Sequence, residues 1–440
     1  MKPVPGPKSL SLARRLRQVE SRNITYLSDH FPVFWESAQG CRVRDVDGRS
    51  YLDLTGAFAV AALGHNPPEV RQTIRKQSAK IWHGMGDVHP NAVKVELLER
   101  LARLAPGRLS ISILSSSGAE AVESALKTAR LATGKPRVIA FEGAYHGLTY
   151  GTLAVTQRND FRRPFSGQIP GFAVHLPYPD SLRGPSEEEC LERVVNYLKR
   201  SSSSAVGSIL IEPVQGRGGI RIPKPFFLKE LQTLARRRGL LLIADEVFTG
   251  FGRTGRMFAV DHSGVEPDLM CVGKALANGF PISACIGSPK GMRAWPLSDG
   301  EAIHTSTFLG NPLGCAMALA SLQAIEKKKL AQRAAEVGWW WKDHLKFLLD
   351  HHPNVGEIRG VGLMVGIELV KDKRSLIPAP KLAGRVVEAC LRRGLLVLSG
   401  GTHRQVLSLT PPLIISKDEL RRAAAILEEV LTRGTPARRN

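Results

Sequence analysis

Between residues 240 and 244 the chain runs Leu-Leu-Leu-Ile-Ala without a polar break, and Asp245 follows at once. An unbroken apolar run of that length, closed by turn residues, predicts a parallel strand buried on both faces. Residues 269–272 repeat the pattern and end in Gly273-Lys274; residues 137–141, residues 209–211 and the stretch ending at Leu114 predict further strands. Between them the apolar period changes: residues 69–79 and 93–104 read as helices, and Val122, Ala125, Leu126 and Ala129 share one face of a helix that opens near Gly118. Residues 178–206 read as a polar linker with one helix and the serines at 201–204.

Strict alternation returns at residues 32–56, where paired strands should turn at Asp47-Gly48. Beyond residue 320 the character changes again, to one long helix over 313–350, strands at 361–370, 395–398 and 406–409, and a closing helix over 417–433. The expected fold class is α/β, a large domain over 71–319 with a mainly parallel sheet flanked by helices. Residues 31–70 with 320–440 should form a smaller α+β domain. Residues 1–30 should form an N-terminal arm whose Leu10, Leu12, Leu16 and Val19 line a helix against a partner subunit.

Composition narrows the class. The 440 residues are 43% hydrophobic and 23% charged, ordinary values for a globular chain. No apolar run spans a membrane and no secretory pattern opens the chain. The six cysteines form no C-x-x-C pair, which points to reduced thiols in the cytoplasm and to no metal site. The net charge of +21 raises nucleic-acid binding, or an organelle address in the basic first 22 residues. The cations are dispersed and no nucleic-acid motif accompanies them, so the charge fits a preference for small anionic ligands, with no nucleic-acid and no membrane partner expected.

In open α/β sheets, ligands sit beyond the carboxyl ends of the strands, where Asp245 and Lys274 are both delivered. A lone Asp there ordinarily caps a turn, and a lone Lys is ordinarily solvated. Together they are what pyridoxal 5′-phosphate (PLP) requires: an amine to hold its aldehyde, and an acid to keep its pyridine nitrogen protonated. Ser116-Ser117-Gly118-Ala119 at a helix start forms a phosphate cradle of backbone N–H groups. Tyr145, at the end of the 137–141 strand, is placed to stack on a flat ring. Residues 81–90, with Trp82, His83, Met85, Asp87 and His89, read as a pocket lining.

From about residue 32 to 430 the chain resembles the class III (omega) aminotransferases of PLP fold type I. The resemblance rests on D-V-D-G at 45–48, L-G-H at 63–65, S-S-G-A-E-A at 116–121, Y-H-G at 145–147, E-P-V-Q-G at 212–216, D-E-V-F-T-G-F-G-R-T-G at 245–255, Lys274, T-F-L-G-N-P at 307–312 and T-P-P-L at 410–413. It implies a homodimer with shared sites, or a tetramer built from such dimers. Lys274 would bind the cofactor and then move the proton at the substrate carbon, while Asp245 would pair with the pyridinium. Ser117, Gly118 and Ala119 would hold the phosphate, joined by Thr307 from the neighbouring subunit. Tyr145 and Val247 would press on the two ring faces, with His146 and Glu212 close by.

The chain departs from that pattern where relatives bind carboxylates. Leu148 and Ser408 stand where relatives often carry arginines, and Phe248 stands where glutamine is common. Arg217 is then the candidate cation for a substrate carboxylate. Phe58, Trp82, Met85, Leu148 and Phe248 would make the pocket apolar. The expected reaction is amino transfer from an amine or amino acid, with a hydrophobic or omega-amino donor, to an oxoacid such as pyruvate. The alternative is a PLP-dependent racemase or epimerase on the same scaffold.

Overall fold

The computed structural model describes residues 3–28, 30–200 and 205–432; the serines at 201–204 and Arg433, the predicted end of the closing helix, lie outside them. Strands β1 (Trp35–Gln39), β2 (Arg42–Asp45) and β3 (Ser50–Asp53) form an antiparallel meander with the predicted turn, where Gly48 adopts a φ of 83°. Seven strands follow: β4 (Ile111–Ser115), β5 (Arg137–Phe141), β6 (Ala173–Leu176), β7 (Val206–Ile211), β8 (Leu241–Asp245), β9 (Leu269–Val272) and β10 (Ser283–Gly287). They make one sheet in the order β4-β10-β9-β8-β7-β5-β6, parallel except for β10, which runs against both its neighbours.

Period-two alternation divides this sheet between two cores. Ile243, Leu269, Cys271 and Cys285 pack with Ala121, Val122, Ala125 and Ala129 of the helix Gly118–Thr133. Leu242, Ala244, Met270 and Val272 point the other way, into the main core. Because both faces are covered, the central strands show no polar alternation, which is why they read as unbroken apolar runs.

The remaining strands are β11 (Val355–Val361), β12 (Met364–Leu369), β13 (Leu395–Leu396), β14 (Leu398–Gly400) and β15 (Val406–Leu409). Of these, β13 pairs parallel to β3 and extends the first sheet, and the other four form a separate antiparallel sheet, β11-β12-β15-β14. Two readings of this region change. The long helix of 313–350 is two helices, Pro312–Lys327 and Leu330–Leu349, broken where Lys329 takes a left-handed φ of 49°. The strand of 361–370 is the second half of a hairpin that turns at Gly362, with φ of 54°.

The N-terminal helix, Pro7–Val19, packs on its own chain through Ser9 and Ala13. The backbone N–H groups of Lys8 and Ser9 and the Ser9 hydroxyl all donate to the Asp47 carboxylate in the β2–β3 turn. Leu10, Leu12 and Leu16 of the same helix are half-buried, and Val19 is 85% exposed.

Candidate active site

Asp245 ends β8 and is buried. Its Oδ1 accepts the Val247 N–H at 3.0 Å, and its Oδ2 lies 2.7 Å from His146 Nδ1. On the neighbouring strand Cys271 is its register partner, so the end of β9 and the turn at Gly273 bring Lys274 to the same edge of the sheet. Lys274 is held at a φ of 43°, a region that costs a residue with a side chain on the order of 1–3 kcal/mol and that occurs mainly at functional sites. Its Nζ sits 4.8 Å from the centre of the Phe248 ring. Burial lowers the Lys274 pKa and Arg217 adds to this, while the carboxylates of Asp245 and Glu212 oppose it.

Glu212 follows β7 directly. Its Oε1 accepts the Tyr145 N–H at 3.2 Å, whereas Oε2 is buried without a partner. Burial pushes its pKa up to about 7; Asp245 acts in the same direction, and His146 and Lys274 act against it. The Nε2 of His146 is likewise buried and unpartnered. Such orphaned atoms cost free energy unless a ligand or water satisfies them.

The helix Gly118–Thr133 starts at the same edge. Ser117 caps it by accepting the Glu120 N–H at 3.2 Å, and Ser283 on β10 pins the turn by donating to the Ser117 carbonyl at 2.6 Å. A Cβ on Gly118 would lie 2.9 Å from Val247 Cγ1, and one on Gly147 would lie 2.7 Å from the Ala119 side chain. The backbone at 118–119 is thus packed so closely against Val247 and Gly147 that only glycine fits at 118 and 147.

Arg217 stands on a tight loop whose neck is closed by reciprocal backbone bonds between Gln215 and Arg221, at 3.0 and 3.1 Å. Its guanidinium lies over the Tyr145 ring, 4.7 Å from the centre, and 5.5 Å from that of Phe161. No carboxylate pairs with it among the described residues; nearby Asp160 is taken by Arg158 and Arg404.

Asp245, His146, Tyr145, Glu212, Val247, Lys274, Arg217 and the Ser117–Ala119 turn therefore meet at one sheet edge. Thr307 does not join them within the chain: it lies in an exposed turn. Phe58, Trp82, Met85 and Leu148 are 48–70% exposed, and Ser408 is a half-buried residue of β15 opposite Gly366. Three neighbours escaped the sequence reading. Phe161 packs edge-on to Tyr145 at 5.6 Å and carries no motif. Ser283 lies on the antiparallel strand. Asn278 holds the 63–64 turn, accepting from Leu63 N–H at 2.7 Å and donating to the Gly64 carbonyl at 2.9 Å; its Asn-Gly dipeptide was the available signal, and its φ of 51° is left-handed as that dipeptide favours.

A helix N-terminus stripped of side-chain bulk, a buried acid, a lysine of lowered pKa and two orphaned polar atoms fit a flat, phosphorylated aldehyde. The chain matches the class III aminotransferase family over residues 25–431. It belongs to that family. The aminotransferase is 37% identical over 400 residues to the 4-aminobutyrate aminotransferase of Escherichia coli, covering 90% of this chain and 93% of that one. It is 38% identical over 401 residues to the acetylornithine aminotransferase of Methanopyrus kandleri, covering 91% and 95%. Among solved structures it superposes on an (S)-enantioselective omega-transaminase from Thermomicrobium roseum with a TM-score of 0.89 at 30% identity, covering 97% and 98% of the two chains. The fold is that of PLP-dependent transaminases, and the enzyme is PLP-dependent.

Proposed function

We propose that this aminotransferase moves an amino group from a donor with a hydrophobic or omega-amino body to an oxoacid such as pyruvate, by a ping-pong route. Bound PLP supplies the carbonyl that takes up the amine and the electron sink that stabilises charge at its carbon. Lys274 is the residue that holds the cofactor and carries the proton to and from the substrate carbon. Burial favours its neutral amine, the form able to act as a base. Asp245 would pair with the cofactor's ring nitrogen and keep it protonated, and the 2.7 Å contact with His146 holds that carboxylate in place. The N–H groups at 118–119, at the helix N-terminus, would hold the phosphate.

The observation that carries the substrate reading is Arg217, a partly buried cation stacked on Tyr145 with no carboxylate partner among the described residues. A partly buried guanidinium without a counter-ion favours an incoming carboxylate. With Leu148 and Ser408 contributing no second cation, one carboxylate can be held firmly and a dicarboxylate poorly. Racemisation needs a second base, and the loop after Glu212 supplies a guanidinium there instead.

Residues 81–88 and 303–308 support a homodimer. Asn311 Nδ2 donates to the Trp82 carbonyl at 3.0 Å, and His83 packs on Phe308 at 5.4 Å, leaving Trp82, Met85, Val88, Ile303 and Phe308 exposed together. An apolar surface of that extent is characteristically covered by protein, here a second copy that brings Thr307 to the phosphate of its neighbour. The six cysteines are free and buried, which fits a cytoplasmic enzyme.

The test is a donor–acceptor panel on the purified holoenzyme. Pyruvate should serve as acceptor with higher kcat/KM than 2-oxoglutarate, Arg217→Gln should raise the pyruvate KM about tenfold, the loss of one charge-assisted contact, and Lys274→Ala should abolish turnover. Preference for 2-oxoglutarate would overturn the single-carboxylate reading.

A further inference from the structure

The loop that carries Arg217 is strained. Gly219 has a φ of 113°, and Ile220, which is fully buried, has a φ of 55°. Left-handed backbone is ordinary for glycine but an outlier for a β-branched side chain, so something must hold Ile220 there. The loop's own bonds, from Gly219 and Ile220 N–H to the Gly216 carbonyl at 3.1 and 3.2 Å, leave the carbonyls of 219 and 220 unsatisfied. One side chain from another sheet takes both. Arg359 on β11 donates through Nε to the Gly219 and Ile220 carbonyls at 3.1 and 2.9 Å, and through Nη2 to Gly219 again at 2.5 Å.

Arg359 is itself fixed. Its Nη2 meets Glu368 Oε2 at 2.6 Å and its Nη1 meets Glu357 Oε2 at 2.7 Å. Glu368, on β12, is 1% exposed and also accepts from Arg183 and from Gln405 Nε2, the latter at 2.8 Å. Gln405 closes the segment whose Gly401 N–H donates to the Arg217 carbonyl at 3.1 Å. One buried carboxylate thus ties two of the supports of the Arg217 loop together, beside the Arg158 Nη1 that also donates to the Arg217 carbonyl, at 3.4 Å.

We infer that Arg359 is a positioning residue for substrate-carboxylate binding: it clamps the strained Gly219–Ile220 turn and so keeps the Arg217 guanidinium over Tyr145. This rests on the reading of Arg217 given above. A lysine would keep the charge but lose the fork that reaches two carbonyls and two carboxylates at once.

The experiment uses the holoenzyme and propionate, a carboxylate with no amine to transfer, titrated by calorimetry, together with the pyruvate KM and the melting temperature. Arg359→Lys should weaken propionate binding and raise the pyruvate KM about tenfold, with kcat changed less than about threefold, the pattern of lost binding without lost chemistry. Ile220→Gly, which removes the need for the clamp, should bring Arg359→Lys back to within about threefold of the parent in propionate affinity. Should Arg359→Lys fail to fold, Glu368→Gln tests the same hub, with the same expected loss. Unchanged propionate affinity in Arg359→Lys, or a loss that Ile220→Gly does not reverse, overturns the inference while Arg217→Gln still weakens binding. If Arg217→Gln binds propionate as the parent does, the carboxylate reading itself falls, and this inference falls with it.

Discussion

Glu212 is a carboxyl group whose two oxygens live in different circumstances. Oε1 is tied to the Tyr145 N–H, and Oε2 is buried and bare, so burial raises the pKa from 4.5 to about 7. In the folded chain the proton is retained to higher pH than in the unfolded chain. The group therefore lowers stability progressively as pH rises from about 4.5 to about 7. Glu246, also fully buried and also raised to about 7, adds the same slope, while His175, lowered to about 4, opposes it between 4 and 6.5. The clean measurement is a difference. The melting temperature of Glu212→Gln minus that of the parent, both cofactor-free, should grow steadily from pH 4.5 to 7 and then level. A constant offset would show that Glu212 does not titrate in this range.

At the scale of elements, the start of the helix Gly118–Thr133 and Val247, two residues beyond β8, pack on each other at the turn where we propose the phosphate binds. Gly118→Ala would put a methyl 2.9 Å from Val247 Cγ1 and push the helix start away from the sheet. Overpacking of that kind costs roughly 1–3 kcal/mol, so PLP affinity should fall by about five- to 150-fold, with most of it returned by adding Val247→Ala. Titration of the cofactor-free protein with PLP, followed by absorbance, reads this directly; equal affinity in Gly118→Ala would mean the turn has room to spare. The same elements show what a sequence conveys. The strands β5, β7, β8 and β9 were legible because a strand buried on both faces must be apolar throughout, and strand-end residues inherit their place from that. The break at Lys329 was not, because no glycine or proline marks it and its cause is how the two helices pack in three dimensions. The ring of Phe161 was equally silent, since its contact with Tyr145 spans separate loops. Arg217 was legible as a candidate from its place after Glu212, but the stacking that leaves its charge unpaired appears only in the fold.

For the whole molecule we propose the division into an arm (1–30), a small domain (31–70 with 320–440) and a large PLP-binding domain (71–319). It is supported by the strand membership: β1–β3 and β11–β15 supply both four-stranded sheets, and β4–β10 supply the seven-stranded one. The exposed loops at 81–88 and 303–308 make a prediction at this scale. Phe308→Glu combined with Trp82→Glu should convert a dimer into a monomer in sedimentation and lower PLP affinity, because a charge set into an apolar interface must be desolvated without a partner. A parent enzyme that sediments as a monomer would overturn the shared-site proposal.

The small domain is stitched from distant stretches. The Thr410 N–H bonds the Leu54 carbonyl at 2.7 Å, and its hydroxyl donates to the Thr55 carbonyl across 355 positions of chain. Beside that stitch Gly56, Ala57, Phe58 and Ala59 all adopt left-handed backbone, with φ from 50° to 65°. Such a run does not persist unaided. On a ribosome adding about 5–20 residues per second, residues 54–59 wait roughly 20–70 s before their anchor emerges. The β4–β10 sheet is fully synthesised by then. All of the Lys274–Asp245 edge is thus synthesised before the left-handed run at 56–59 has its anchor, and a nascent chain arrested before Thr410 holds that edge while the Phe58 backbone is still unpinned.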